Sequence, residues 1–465
     1  MAALSPAFGV PWMSRAARVI PFLPGVVAIA YGIGLLVLSQ SYAKGSASRE
    51  QAQAWLAGLS MMAGVAYLIA MAVVCRRGRP LSVGWICGTA LVARLILCAA
   101  PPLLETDFYR YLWDGAVTVH GVNPFGQAPG EVLSDSVQGE DAALLQQLAA
   151  ESGEVLERIN HPDLRTIYPP IAQAAFAVSS LIDPFGITAW RLVLLVCDAL
   201  TMLLIACVLR ELGLPMARLG WYAWNPVLLS QVYLGLHMDV LVLPLVVGAL
   251  LLGLRGRHGA AAMLCVAGSA VKIWPIVLVP LLLRPLWPRR AALVGICVQL
   301  ALLAILVWIP VFVAPRGGPD GFLAYRDQWQ SNDGFFRAGI WLTERALAGM
   351  GEEPWHSHKI MRIVAIGLLL AVIVSQSIRR ATGNELARRF LIVIGAVFLL
   401  SPTEFPWYWL WCLPLLAIRP SAPLLLYVVL LPLYELQYRS DAVYWMEHAP
   451  VWGLLVYSAA RSRST

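Results

Sequence analysis

The chain has 465 residues, 59% of them hydrophobic and 13% charged, where soluble domains run at about 45–50% apolar and 25% charged. Apolar runs of about 20 residues recur along it, the length that crosses a bilayer's hydrocarbon core, so a soluble fold is excluded and a polytopic all-α membrane protein is expected. The net charge of +7 comes from arginines clustered between apolar runs, which marks topology rather than a nucleic-acid surface, and the eight cysteines include no C-x-x-C spacing that would suggest a disulfide framework or a cysteine metal site.

In chain order, Val19–Ser39 follows Arg15 and Arg18 and is longer than a signal-peptide core, so it is expected to be a retained first span. Ala54–Val74 and Leu81–Ala100 follow, separated by the cluster Arg76-Arg-Gly-Arg79. With the N-terminus cytoplasmic, this cluster is inside and the segment after Ala100 outside. Residues 101–187 hold twelve acids against three basic residues, Arg110, Arg158 and Arg165. The scarcity of Lys and Arg fits a translocated loop. Within it, Ile171–Ile182 is too short to cross comfortably and is expected to form a re-entrant or juxtamembrane hairpin, opened by Tyr168-Pro-Pro170.

Thr188–Leu209 then crosses inward to Arg210 and Arg218. Leu219–Gly235 returns to present His237-Met-Asp239 outside, and Val240–Leu254 leads back to Arg255 and Arg257. The run Gly259–Leu283 carries Lys272 at its centre, where a lysine costs about 2.5–3.5 kcal/mol on insertion scales. Two short helices meeting at Lys272 at the outer surface remove that cost. Ala291–Val313 leads to a second outer loop, 314–358, and Ile363–Ser377 returns to Arg379, Arg380, Arg388 and Arg389. Phe390–Leu400, Trp407–Ile418, Leu424–Tyr434 and Val451–Ala460 complete about 14 crossings with both termini cytoplasmic. The chain is expected to be a single integral membrane domain over 1–465, with extra spans in 1–80, an outer catalytic loop at 101–187 and the second loop at 314–358.

This topology gathers the polar outliers on one face. Glu105-Thr-Asp-Phe-Tyr-Arg-Tyr-Leu-Trp-Asp-Gly115 places Asp107 and Asp114 seven residues apart, on one side of a helix at about two turns' separation, with Arg110 one turn from Asp107. A surface helix with an i, i+3 ion pair, or Thr106 and Asp107 acting as caps, fits that stretch alone equally well. The company of His161, Asp163, Tyr168, His237, Asp239, Lys272, Asn332, Asp333, Arg337 and Glu404 at outer helix ends tips the reading toward an outer-facing reaction centre. Trp407, Tyr408, Trp409 and Trp411 are expected in the aromatic belt at the headgroup level, and Glu404 beside them has a solvated loop acid as its simpler account.

Asp107-Phe-Tyr-Arg-Tyr-Leu-Trp-Asp-Gly115, Gly121-Val-Asn-Pro-Phe125, Ile159-Asn-His-Pro-Asp163, Ile167-Tyr-Pro-Pro170, His237-Met-Asp239, Lys272-Ile-Trp-Pro275 and Pro406-Trp-Tyr408 occur in that order. Together they resemble the bacterial mannosyltransferase-like branch of the GT-C membrane glycosyltransferases, from about Ala100 to the Trp407 region. The resemblance implies a polyprenyl-phosphate sugar donor, Asp107 as the first-loop catalytic acid, Asp239 as the second-turn acid and Tyr168 at the start of a juxtamembrane hairpin. The chain departs from the family in two extra spans before the acidic loop, in Met238 where Asn is common, and in Phe405 where His is common.

The expected function is transfer of a hexose, mannose by family weighting, to a glycan or glycolipid acceptor at the periplasmic face of the cytoplasmic membrane, inverting, with Asp107 as general base. Asp114 and Asp239 would join Asp107 in catalysis, and Arg110, Asn123, Tyr168, His237, Lys272, Arg337 and Glu404 would bind substrate. Arg110, Lys272 and Arg337 are the cations available to meet the charge on a departing phosphate. Asp107, Asp114 and Asp239 leave room for a divalent cation, Mg or Mn. The alternatives are a multi-pass transporter or lipid flippase without glycosyl transfer, and a polymerase or ligase using lipid-diphosphate-linked glycans. Expected partners are the lipid-linked donor, the acceptor and membrane lipids.

Overall fold

The computed structural model describes residues 20–77, 81–315 and 321–461. The topology signals Arg15, Arg18, Arg79 and Arg463 lie outside them. The described residues form helices throughout and no strand, apart from an isolated bridge between Ser331 and Thr403.

The first three helices, α1 (Leu23–Ala43), α2 (Arg49–Arg77) and α3 (Val83–Cys98), pack on one another through small and apolar side chains. The 101–187 stretch begins with α4 (Asp107–Val119), continues through Pro129–Leu133 and α5 (Ala142–Glu151), and returns through α6 (Pro170–Ile182). Helix α4 packs against α6 as closely as any pair in the molecule. Gly115 permits this approach, because a Cβ there would lie 2.4 Å from the carbonyl oxygen of Phe176. Pro170 at the first turn starts α6, where its missing N–H costs no helical hydrogen bond.

Helix α7 (Ile187–Glu211) is the longest apolar helix of the central bundle, about 30 Å or more in length at 1.5 Å per residue, enough for a hydrocarbon core. It is followed by α8 (Pro226–Leu234) and α9 (Met238–Leu254), which meet at a bend of 110°. Asn225 starts α8 by accepting from the backbone N–H groups of Val227 and Leu228. The run around Lys272 is two helices, α10 (His258–Ser269) and α11 (Trp274–Leu286), with Lys272 in the turn between them. Helix α12 (Arg290–Phe312) is apolar and exposed along nearly its whole length. Then come α13 (Gly321–Gln328), α14 (Phe335–Gly349), α15 (Ser357–Ser377), α16 (Gly383–Leu399), α17 (Leu413–Ile418), α18 (Ala422–Leu430), a 3-10 segment Leu431–Arg439, and α19 (Ala442–Arg461).

Five of these helices, α1, α2, α7, α12 and α15, are long and apolar enough to cross a membrane, and the bent α8–α9 pair makes six if it is one span. Helices α3, α6, α10 and α11 are shorter apolar helices. The segments expected to cross overlap helices or broken helices, with later ones starting earlier than expected: α15 at Ser357 rather than Ile363, α16 at Gly383 rather than Phe390, and α19 at Ala442 rather than Val451.

The two ends of the bundle differ in chemistry. Trp190 near the start of α7 donates to the carbonyl of Leu236 in the α8–α9 bend, while Glu211 at its other end pairs with Arg255 after α9. At that Arg255 end, arginines satisfy exposed carbonyls of helix ends: Arg218 donates to Ile418, Arg284 to Ile378, and Arg389 to Gln376 and Arg379. Between the two ends, Arg94 on α3 forms an ion pair with Asp198 on α7, and Tyr233 on α8 donates to the same carboxylate. This buried pair fastens the N-terminal helices to the central bundle.

Candidate active site

The Trp190 end of the bundle encloses a cavity of about 260 Å³. Its walls come from the start of α4, the 160–168 stretch before α6, the start of α9, the α10–α11 turn, α13, and the segment from Phe405 to Tyr408. With Tyr434 of the 431–439 segment, seven separate segments of chain meet here.

Asp107 is the first residue of α4, and its carboxylate sits at the positive end of the helix dipole. Thr106 occupies the N-cap position without a side-chain capping bond, so the carboxylate of Asp107 is not spent on closing the helix. Its Oδ1 accepts from Asn160 Nδ2 at 3.2 Å, and its side chain is 29% exposed, into the cavity. Burial raises its pKa, opposed by the Asn160 hydrogen bond and by the charges of Lys272 and His161. Two residues earlier, Glu105 lines the same cavity with its carboxyl raised well above the usual range by burial, then by Asp107 and Glu435.

Opposite these acids, Lys272 Nζ lies 3.2 Å from Asp239 Oδ1 and 4.3 Å from the centre of the Tyr408 ring. Trp411 Nε1 donates to the same Asp239 oxygen at 2.8 Å. Asp239 is buried, with Lys272 and Trp411 sharing its Oδ1, and both Asp239 and Lys272 line the cavity. Arg110 and Arg165 add positive charge from the loop side. Both residues line the cavity, and Arg110 Nη2 and Arg165 Nε are buried without hydrogen-bond partners. The aromatic wall consists of Tyr168, Tyr325, Trp329, Phe405, Trp407, Tyr408 and Tyr434. Tyr325 and Tyr408 share a hydroxyl hydrogen bond of 2.9 Å, which ties α13 to the Trp407 segment.

A room of this size, walled by aromatic rings and bordered by carboxylates, guanidinium groups and an ammonium, suits a polar ligand with a ring to stack and charge to meet. The model of glycosyltransferase family 87 matches residues 166–402, half of the chain. The chain belongs to glycosyltransferase family 87. No curated protein and no solved structure matches it. This glycosyltransferase carries Tyr168, His237, Asp239, Lys272 and Arg337 inside the matched residues, and Asp107 ahead of them.

Of the residues singled out in the sequence, the cavity brings together Asp107, Arg110, Tyr168, Asp239 and Lys272, with His237 buried directly behind Asp107. Asp114 is not beside Asp107. It points into the α4–α6 interface, where Arg110 Nε donates to it at 2.8 Å and Gln173 Nε2 at 3.0 Å. Arg110 is therefore the partner of Asp114 at i, i+4 and not of Asp107 at i, i+3. Asn123 lies apart, donating to the carbonyl of Pro310 and accepting from the backbone of Phe125. Arg337 packs over the Tyr444 ring and lies 3.7 Å from Asp441. Glu404 is fully buried, accepting from the backbone N–H of Gly334 with His448 3.5 Å away.

Two sequence expectations are corrected. Trp407, Tyr408, Trp409 and Trp411 do not form a headgroup belt: all four are buried, and Trp407 and Tyr408 wall the cavity. Glu404 is not a solvated loop acid. For a divalent cation, the donor set does not fit. Arg110 engages Asp114 and Lys272 engages Asp239, and among the described residues no group of three or more His, Cys, Asp or Glu is placed to hold a metal. Glu105, Asn160, Arg165, Tyr325, Trp329 and Tyr434 belong to the cavity although sequence reasoning gave them no role. For Glu105 and Asn160 the available signal was proximity to the motif residues Asp107 and His161.

Proposed function

We propose that this glycosyltransferase moves a hexose, with mannose the expected sugar, from a polyprenyl-phosphate donor to a hydroxyl of a glycan or glycolipid acceptor, inverting the anomeric carbon. The observation that carries this reading is the cavity itself: the carboxylate of Asp107 opens into the same small chamber that Lys272, Arg110 and Arg165 line. Asp107 takes the proton of the acceptor hydroxyl as that oxygen bonds to the anomeric carbon. The bond from that carbon to the phosphate oxygen breaks, and its electron pair leaves with the phosphate.

Each part follows from its surroundings. The raised pKa of Asp107 makes it a better base than an exposed carboxylate while the cavity cations keep it ionisable. The leaving group is already a phosphate ester, so it needs positive charge and not a strong acid. Lys272 supplies that charge from a position fixed by Asp239 and the Tyr408 ring. The aromatic wall offers faces on which a sugar ring can stack. Because the donor set does not fit a metal, no step passes through one.

The localisation we propose is the cytoplasmic membrane, with the cavity on the periplasmic side and both termini in the cytoplasm. The support is the gathering of Arg218, Arg255, Arg284 and Arg389 at the far end of the bundle. To test the function, purified enzyme is incubated with polyprenyl-phosphate mannose, the corresponding glucose donor, and a panel of acceptors. Labelled glycoside product from the mannose donor, absent with Asp107→Asn, is the expected result. Undiminished transfer by folded Asp107→Asn protein removes Asp107 as the base, and turnover only of a diphosphate-linked donor removes the proposed donor class.

A further inference from the structure

His237 is fully buried, and neither of its ring nitrogens has a hydrogen-bond partner. Buried polar atoms are normally satisfied, and an orphaned one is destabilising. The ring nevertheless has two acids in line with it. Nε2 lies 3.9 Å from Oε2 of Glu105, and Nδ1 lies 4.0 Å from Oδ2 of Asp107. Both gaps are too long for a hydrogen bond in this structure, and catalytic contacts are often long before substrate binds and tighten in the complex.

The surrounding fold holds the ring in that line. His237 stacks on Trp407 with centroids 3.8 Å apart and planes 12° from parallel, so the imidazole plane is set. Its backbone N–H donates to Gln231, and the preceding Leu236 has φ +59°. Leu104, before Glu105, has φ +66°. A bulky residue held at positive φ is strained and persists where surrounding contacts dictate it. The two strained turns are joined by a backbone hydrogen bond from Leu103 to Leu234. Strain on both arms, aimed at one imidazole, is not what simple core packing requires.

We propose that Glu105 and His237 are positioning residues for Asp107: protonated Glu105 donates to Nε2 of His237, which fixes the tautomer in which Nδ1–H donates to the Asp107 carboxylate. The proposal rests on Asp107 being the general base. The three groups then share a single negative charge and hold it on Asp107. Two carboxylates two residues apart in a poorly solvated chamber do not both ionise cheaply, so one of them stays neutral.

The facing groups decide which one. Glu105 is opposed as an anion by burial, Asp107 and Glu435 and favoured only by Arg49 of α2. Asp107 is favoured as an anion by Asn160, by Lys272 of the α10–α11 turn and by His161. Burial and Lys272 keep His237 neutral. When Asp107 accepts the acceptor's proton, His237 and Glu105 keep theirs, the trio becomes neutral, and the transferred proton leaves Asp107 to water after product departs.

The experiment measures kcat and KM against pH for full-length wild type, Glu105→Ala, Glu105→Gln, His237→Ala and Asp107→Asn, with folding followed by thermal unfolding in detergent. Glu105→Ala is expected to lower kcat about 30-fold with KM within about twofold, because only the aim of the base is lost. Glu105→Gln, whose amide N–H still donates to Nε2, is expected to recover about tenfold of that. Wild-type kcat is expected to fall at alkaline pH as Glu105 ionises, and Glu105→Gln to lack that limb. Added imidazole is expected to restore part of the His237→Ala rate. Equal losses in the Ala and Gln variants, an alkaline limb retained in Glu105→Gln, or no rescue by imidazole would each overturn the relay. Full activity in Asp107→Asn together with a loss in Glu105→Ala would overturn the base assignment instead, which separates the two failures.

Discussion

Two polar clusters illustrate the same ingredients put to different ends. The cavity holds Glu105, Asp107, Asp239, Lys272 and, behind them, His237. The second cluster joins Asn332 and Asp333 to Glu404, Glu447 and His448, all buried. There, Asn332 Nδ2 donates to the Glu404 carbonyl at 2.9 Å and to Glu447 Oε1 at 2.8 Å, Gln437 donates to Asn332, and Tyr427 contacts His448 Nδ1 at 2.9 Å. These contacts join the 331–336 stretch, the 401–405 turn and α19. The difference is room. In the first cluster the charged groups border empty volume; in the second they are packed against one another. Residue type and loop position look alike in both, so a reacting substrate is admitted only where the chain leaves space.

That contrast is open to direct attack. The largest effect is expected at Asp107: Asp107→Asn should lower kcat by about 10²–10⁴-fold while leaving the unfolding temperature unchanged, as measured by product formation and detergent-phase unfolding. Lys272→Gln should cost about 10²–10³-fold in kcat, since it removes one group placed to meet the leaving charge and strips buried Asp239 of its partner. Asp114→Leu should act on folding instead. Breaking the buried pair with Arg110 is expected to cost about 3–5 kcal/mol by thermal or denaturant unfolding.

Smaller effects belong to the sealed cluster. Burial raises the Glu404 carboxyl well above its ordinary value, against hydrogen bonds from the Gly334 and Phe335 backbone. A carboxyl whose folded-state pKa is raised contributes stability at low pH that is lost as pH climbs through the folded value. Wild type should therefore lose stability as pH rises above the ordinary carboxylate range toward the raised folded value, and Glu404→Gln should flatten that dependence with kcat within about twofold of wild type. Arg337→Ala should be the mildest, about 1 kcal/mol or less in stability, because its pairing with Asp441 is exposed. A large kcat loss in either variant would reopen the question of whether this cluster reaches the substrate.

How much of this was legible depends on the kind of signal each residue carries. Asp107 was legible because an acid follows directly on an apolar run that has to end at a membrane boundary. Lys272 was legible because a lysine in the middle of an apolar run forces a break, and the chain does break there, between α10 and α11. Asp114 was half legible: the seven-residue spacing gave its distance along the helix, but not that Gln173 and Arg110 would draw it into the α4–α6 interface. The tryptophans of 407–411 misled because an aromatic side chain that suits a headgroup region also suits a sugar-sized chamber. Arg94 and Asp198 gave no hint of each other across 104 positions.

The sequence by itself determined the class of the protein and roughly where its apolar helices lie. Those follow from local terms: the transfer cost of charge, the length of an apolar run, the punctuation by Pro and Gly. It also determined that Asp107, Asp239 and Lys272 would stand near helix ends. Only the tertiary structure decided which of the polar helix ends share a cavity and which neutralise one another, because that depends on helix rotation and on contacts between segments more than a hundred residues apart. A carboxylate's chemistry is set by its solvation and its nearest partners. Glu105, Asp107, Asp114 and Glu404 are alike as letters, and they differ because the fold gave each a different neighbour.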